Sequence, residues 1–133
     1  MATASAHNLE FVRSLGADEA IDHGAQQFED FARDMDVILD TVGGDTLARS
    51  WTVLRPKGRM ITIAASAEET QEQRVQDAFF IVEPNRMQLA NVASLIDAGE
   101  LRPILGATFP LSDVRQAYEH KPKHGKAVLT IVS

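Results

Sequence analysis

A chain of 133 residues falls in the size range of one domain, and its 44% hydrophobic content can supply a sizeable core. With 13 basic against 19 acidic side chains the net charge is -6, and no run of Lys or Arg offers phosphates a continuous positive track, which argues against a nucleic-acid partner. The absence of cysteine excludes a disulfide framework and a Cys-built zinc site and fits a reducing cytoplasm, while short apolar runs and an N-terminus without a basic leader disfavour membrane spanning and secretion.

The first residues predict the tail of a strand, Ala2-Thr3-Ala4, followed by Ser5 as an N-cap, Leu9, Val12 and Leu15 at helical spacing, and Gly16 as the stop. Ala20 and Ile21 form a brief apolar patch that ends in Asp22, His23 and Gly24, and a weak helix is expected around Phe28 and Phe31. Val37, Ile38 and Leu39, flanked by Asp36 and Asp40, read as a strand covered on both faces. After it, Gly43 and Gly44 make a turn and Asp45 caps a helix with Leu47, Ser50, Trp51 and Leu54 on one face, which Pro56 and Gly58 end.

A buried strand from Met60 to Ala64 comes next, then a polar, glutamate- and glutamine-rich stretch from Ser66 to Gln76 that reads as a solvated loop or an exposed helical turn. Phe79 to Val82 resumes a strand pattern, and Pro84 and Asn85 open a helix whose Leu89, Val92, Ala93 and Ile96 face inward until Gly99. Ile104 to Phe109 and Ala127 to Val132 read as β, separated by a short helix that Ser112 caps. Strands alternating with helices imply an α/β, Rossmann-like parallel sheet with helices on both faces, joined by right-handed crossovers.

In such sheets ligands bind outside the carboxyl ends of the strands, which singles out Ser5, Asp22, His23, Asp40, Thr41, Val42, Ala64 and Ala65. A dinucleotide site also needs a glycine-rich turn after its first strand, because only glycine lets backbone N–H groups approach the pyrophosphate closely, and the sequence has no G-x-G-x-x-G. Gly43-Gly44 lacks the third glycine and reads as a structural turn. The histidines at 7, 23, 120 and 124 form no H-E-x-x-H arrangement, and there is no G-x-S-x-G elbow, so neither a zinc site nor a hydrolase is expected and no residue is assigned a catalytic role.

Ala-Thr-Ala-Ser at 2–5, Leu-Gly-Ala-Asp-Glu at 15–19 and Asp-Val-Ile-Leu-Asp-Thr-Val-Gly-Gly at 36–44 occur together and in order. So do Leu-Arg-Pro-Lys-Gly-Arg at 54–59, Phe-Phe-Ile-Val-Glu-Pro-Asn at 79–85, Asp-Ala-Gly-Glu-Leu-Arg-Pro at 97–103 and His-Gly-Lys-Ala-Val-Leu at 124–129. This set resembles the zinc-independent, medium-chain quinone oxidoreductases over essentially the whole chain. The resemblance implies hydride transfer from NADPH to a quinone or activated alkene, without zinc. It also implies two segments: 1–101, most of the cofactor domain, and 102–133, closing strands that in the family pair with the catalytic domain.

By the same resemblance Ser5 meets the adenosine 2′-phosphate and His23 stands where tyrosine often lies beside the adenine. A family lysine near Ser5 is replaced by His7 and Asn8, exchanging a fixed positive charge for a largely neutral ring. Asp40, Thr41 and Val42, with Ala64 and Ala65, line the nicotinamide ribose and ring. The Phe79, Phe80 and Ile81 backbone contacts the carboxamide, and Phe79 to Val82 forms an edge through which subunits pair as a homodimer. Each of these residues also has a plainer role in turn, cap or packing.

In the family's 3-2-1-4-5-6 strand order, the missing first strand lies between the second and fourth. The expectation is therefore a truncated product or an isolated domain, inactive alone, whose sheet either re-closes directly or is completed by strand exchange. Two other classes remain in play: a non-catalytic module that oligomerises through its edge strands, and a methyltransferase-like domain with an acidic residue at a strand end.

Overall fold

The computed structural model describes residues 1–64 and 71–131. Two compact units, Met1–Val82 and Glu83–Ser133, divide the chain. The family-based division at 101/102 concerns the origin of the segments; by compactness, the helix after Asn85 groups with the closing strands.

In the first unit, β1 (Ala2–Ala4) and β2 (Ala20–Asp22) pair in parallel, with Ala2 opposite Ala20 and Ala4 opposite Asp22. A 3-10 turn over Ala6–Asn8 and α1 (Leu9–Ser14) make the crossover, and Gly16 ends it in the left-handed region as its position predicts. The weak helix expected near Phe28 is one 3-10 turn, Phe28–Asp30, in which Phe28 is buried and Phe31 exposed.

The second parallel pair is β3 (Met35–Asp40) with β4 (Leu54–Thr62), crossing over through α2 (Gly44–Ser50). Pro56 and Gly58 do not end the helix, which stops at Ser50; they lie inside β4. The ladder skips there from Met35 opposite Leu54 to Val37 opposite Arg59, and Lys57 takes a positive φ of 66°. A proline without an N–H is tolerated because the segment bulges out of the ladder.

Between Ser66 and Gln76 the sequence reading allowed a loop or an exposed helical turn. Gln73–Ala78 form a helix, α3, which Val75 and Ala78 anchor three positions apart against Leu47 and Met60. A second buried cluster joins Ile21, Phe28, Ala32 and Val53, and Ile38 packs against both.

Val37 and Leu39 were expected to be covered on both faces, yet they are 59% and 62% exposed, whereas Ile38 is half-buried. The reason is topological. The sheet does not re-close: β1–β2 and β3–β4 are separate two-stranded sheets, and no strand among the described residues pairs β1 with β3. Between them runs a groove of about 380 Å³ lined by Ala2, Thr3, Val37, Leu39, Asp40 and Val42, among others.

The second unit begins with α4 (Arg86–Asp97), whose N-cap Asn85 accepts hydrogen bonds from the Met87 and Gln88 N–H groups at 3.0 and 3.1 Å. The helix forms as read, but Leu89, Val92, Ala93 and Ile96 are exposed rather than packed inward. The resemblance has the closing strands pairing with strands of the catalytic domain, which lie outside this chain. Instead β5 (Leu105–Pro110) and β6 (Lys126–Thr130) pair with each other in parallel, with α5 (Val114–Glu119) between them burying Ala117. Ser112 does not cap that helix; its hydroxyl bonds the Asp113 carboxylate at 2.9 Å. Val132 lies outside the described residues.

Candidate functional site

Both strand pairs of the first unit present candidate residues just beyond their last paired positions. At the end of β1, Ser5 is extended and precedes the 3-10 turn, but its hydroxyl caps no backbone group. It accepts a hydrogen bond from Asn8 Nδ2 at 3.2 Å and lies 3.4 Å from His7 Nε2, so the two residues at the expected lysine position close over the serine. At the end of β2, the His23 N–H donates to Ala4 O at 3.1 Å and the imidazole stands exposed on the turn that Asp22 braces through the Gly24 N–H. Ser5 and His23 thus emerge from neighbouring strands at one end of their sheet.

Asp40 ends β3 only 4% exposed. Its Oδ1 accepts from the Val42 N–H at 3.2 Å, both its oxygens accept from the Gly43 N–H at 3.1 Å, and Thr62 Oγ1 donates to Oδ2 at 2.7 Å. A buried carboxylate is stable only with such donors, and each of these ties down the turn that follows the strand. Thr62, fully buried, in turn accepts from the Ala64 N–H at 3.2 Å.

One polar pair therefore holds the ends of β3 and β4 together. Gly43, at φ 76°, lets the turn approach closely: a Cβ there would sit 2.9 Å from Ala64 O. Thr41, Val42 and Ala64 stand exposed around this junction, Val42 by 66%. The structure brings these predicted residues together, and turns the Asp40 side chain inward. Sequence reasoning missed Thr62, whose signal was a hydroxyl within an apolar strand, a group that needs a partner when buried.

Phe79 makes an isolated parallel bridge to Thr62, and the Phe80 N–H donates to Thr62 O at 3.1 Å. Beyond that bridge the anticipated strand Phe79 to Val82 does not form, and Phe80, Ile81 and Val82 are 57%, 69% and 74% exposed. One bridge places this stretch at the edge of β4 without extending the ladder. Ala65 lies outside the described residues.

Among the described residues no three His, Cys, Asp or Glu side chains group as metal ligands. His120 and His124 are four apart, but α5 ends at Glu119 and Pro122 intervenes, so the pair shares no helix face. No helix among the described residues is long and apolar enough to cross a membrane.

A family profile described as a zinc-binding dehydrogenase matches residues 15–129. A probable mitochondrial zinc-binding oxidoreductase of Arthroderma benhamiae is 28% identical over 94% of this chain and 42% of its own length. An NADPH-dependent alkenal/one oxidoreductase of Arabidopsis thaliana chloroplasts is 30% identical over 90% of this chain and 29% of its own. The quinone oxidoreductase structure from Coxiella burnetii is similar with a TM-score of 0.76 and 26% identity, covering 98% of this chain and 44% of that one. The chain thus spans less than half the length of each of these relatives.

Proposed function

The chain belongs to the zinc-binding dehydrogenase family, and from that premise we propose that it forms the nicotinamide end of a dinucleotide site in an NADPH-dependent, zinc-free reductase of quinones or activated alkenes. The observation that carries this reading is the Asp40–Thr62 hydrogen bond, which joins two strand ends and leaves Thr41, Val42 and Ala64 exposed around one junction. Ligands of doubly wound sheets bind at such carboxyl ends. The printed activities of the Arabidopsis and Coxiella relatives, alkenal/one and quinone reduction, support the substrate class.

A bound reduced nicotinamide supplies the hydride, and the protein supplies orientation and exclusion of water. Thr41, Val42, Ala64 and Ala65 would border the ring and its ribose, with the Phe79, Phe80 and Ile81 backbone near the carboxamide. Asp40 holds the Val42 and Gly43 amides in place beside the proposed ribose position. Ser5 and His23 would meet the adenosine end, where His7 offers less fixed positive charge than lysine.

No G-x-G-x-x-G seats the pyrophosphate in these 133 residues, so they alone would show little or no turnover. Pairing of two chains along Phe79–Val82 and a cytoplasmic setting complete the reading. A second reading, a non-catalytic module that oligomerises through its edges, is favoured by the exposure of Phe80, Ile81 and Val82.

Backbone amide shifts during titration with reduced nicotinamide mononucleotide test the first reading. The expected shifts fall on Thr41, Val42 and Ala64. Shifts absent there, with mass rising as the chain is concentrated, would support the second.

A further inference from the structure

We propose that Arg74, stacked on Trp51, is a positioning residue that sets the backbone of Phe79, Phe80 and Ile81. The inference rests on the nicotinamide reading, because that backbone is the side of the site assigned to the carboxamide.

The helix α3 has only six residues, Gln73–Ala78. A helix that short does not hold itself in water and takes its place from side-chain anchors. Val75 and Ala78 supply two, buried against Leu47 and Met60. They stand three apart, in one row along the helix, and a single row lets a short helix roll about it. Arg74 projects about 100° around the axis from Val75, so a contact there stops the roll.

That contact exists. Arg74 Cζ lies 5.2 Å from the centre of the Trp51 ring, within the range over which a guanidinium is drawn to an aromatic face. Glu72, the N-cap residue of α3, accepts from Arg74 Nε at 2.8 Å and turns the guanidinium. Both partners of that ion pair are more than half exposed, so its use is orientation more than strength. Trp51 packs against the cluster of Leu47, Met60, Val75 and Ala78, and its buried Nε1 has no acceptor among the described residues. Packing and the stacked cation, not a hydrogen bond, therefore set the plane of the indole.

The clamp acts on the site because of where the two helices begin and end. α2 starts at Gly44, next to the turn that Asp40 holds, and ends with Trp51 as its C-cap. α3 starts beside Arg74 and ends at Ala78. Beyond it, the Phe79 N–H still donates to Val75 O at 3.0 Å, and the Phe80 N–H donates to Thr62 O at 3.1 Å. One end of each helix thus borders the Asp40–Thr62 junction, and the Arg74–Trp51 contact ties the other two ends together. A roll of α3 would carry Phe79 with it and break its bridge to Thr62.

The test uses the 133-residue chain and reads amide hydrogen exchange residue by residue without ligand. Arg74→Gln should speed exchange at Phe80 by about two- to fivefold, the worth of one exposed cation–aromatic contact, and leave Ile21 unchanged. Arg74→Lys keeps a cation over the ring and should restore most of the protection. In a Trp51→Leu chain the same Arg74→Gln change should have no further effect, because the partner is already gone. Titrated with reduced nicotinamide mononucleotide, Arg74→Gln should bind about two- to fivefold more weakly, read from the Thr41 and Val42 shifts, and Arg74→Lys should bind like the unaltered chain. The proposal is overturned if Arg74→Gln leaves Phe80 exchange unchanged, if it speeds Ile21 equally, if its effect persists in full in Trp51→Leu, or if Arg74→Lys is as damaging. Shifts absent from the unaltered chain would instead remove the nicotinamide reading, while exchange at Phe80 still decides what Arg74 does.

Discussion

Thr62 Oγ1 donates a 2.7 Å hydrogen bond to Asp40 Oδ2, although the two residues are 22 apart in sequence, and both are buried. The ladder sets them directly opposite each other at the ends of β3 and β4. The bond therefore governs how the two following turns lie.

Thr62→Val keeps the shape and removes the hydroxyl, leaving the buried carboxylate one donor short. A loss of about 1–3 kcal/mol is expected by urea unfolding, with faster amide exchange at Val42, Gly43 and Ala64. Thr62→Ser should recover most of both effects, and an equal loss in the two variants would mean that packing, not the hydroxyl, is what Thr62 contributes.

Gly43 and Gly44 form a matched comparison. Gly43 sits at φ 76° and ψ -166°, and an added Cβ would meet Ala64 O at 2.9 Å. Gly44, at φ 54°, has nothing within 4 Å of an added Cβ. Gly43→Ala should therefore destabilise by about 1–3 kcal/mol and perturb Ala64 amide shifts, while Gly44→Ala carries only the milder left-handed strain. Denaturant midpoints measured side by side decide it.

Leu47 holds α2 against Met60, Val75 and Ala78. Truncation by Leu47→Ala should cost about 2–5 kcal/mol and expose Val75 and Ala78, so that α3 loses exchange protection along with α2. Retained protection in α3 would show that it docks independently.

In the second unit, Asn85 satisfies two amides at the start of α4. Asn85→Ala should weaken that helix by about 1 kcal/mol, visible as faster exchange at Met87 and Gln88. Exchange of the Ile21 and Leu47 amides, in the other compact unit, should not change.

The run Asp36–Asp40 announced its strand, and the turn formers at Gly16 and Asn85 announced their helix ends, because these signals are local. Burial was not legible for Val37 and Leu39, since it depends on which strand lies alongside. Gln73–Ala78 could be read only as a loop or an exposed helical turn because Gln73, Arg74, Gln76 and Asp77 are polar and only Val75 and Ala78 are buried in the helix. The apolar run from Phe79 to Val82 looked like a strand, yet a strand requires a paired edge and only Phe79 finds one. At the site, position along the chain pointed to Asp40, but its inward role rests on the register with Thr62, which composition does not encode.

The proposal that the chain holds a nicotinamide but not a pyrophosphate is tested most directly by titrating it, in parallel, with reduced nicotinamide mononucleotide and with NADPH, followed by calorimetry and amide shifts. The expected result is weak binding of both with affinities within roughly tenfold, about 1.4 kcal/mol, and shifts centred on Thr41, Val42 and Ala64. NADPH binding tighter by about a thousandfold or more, with its pyrophosphate held by this chain alone, would contradict it.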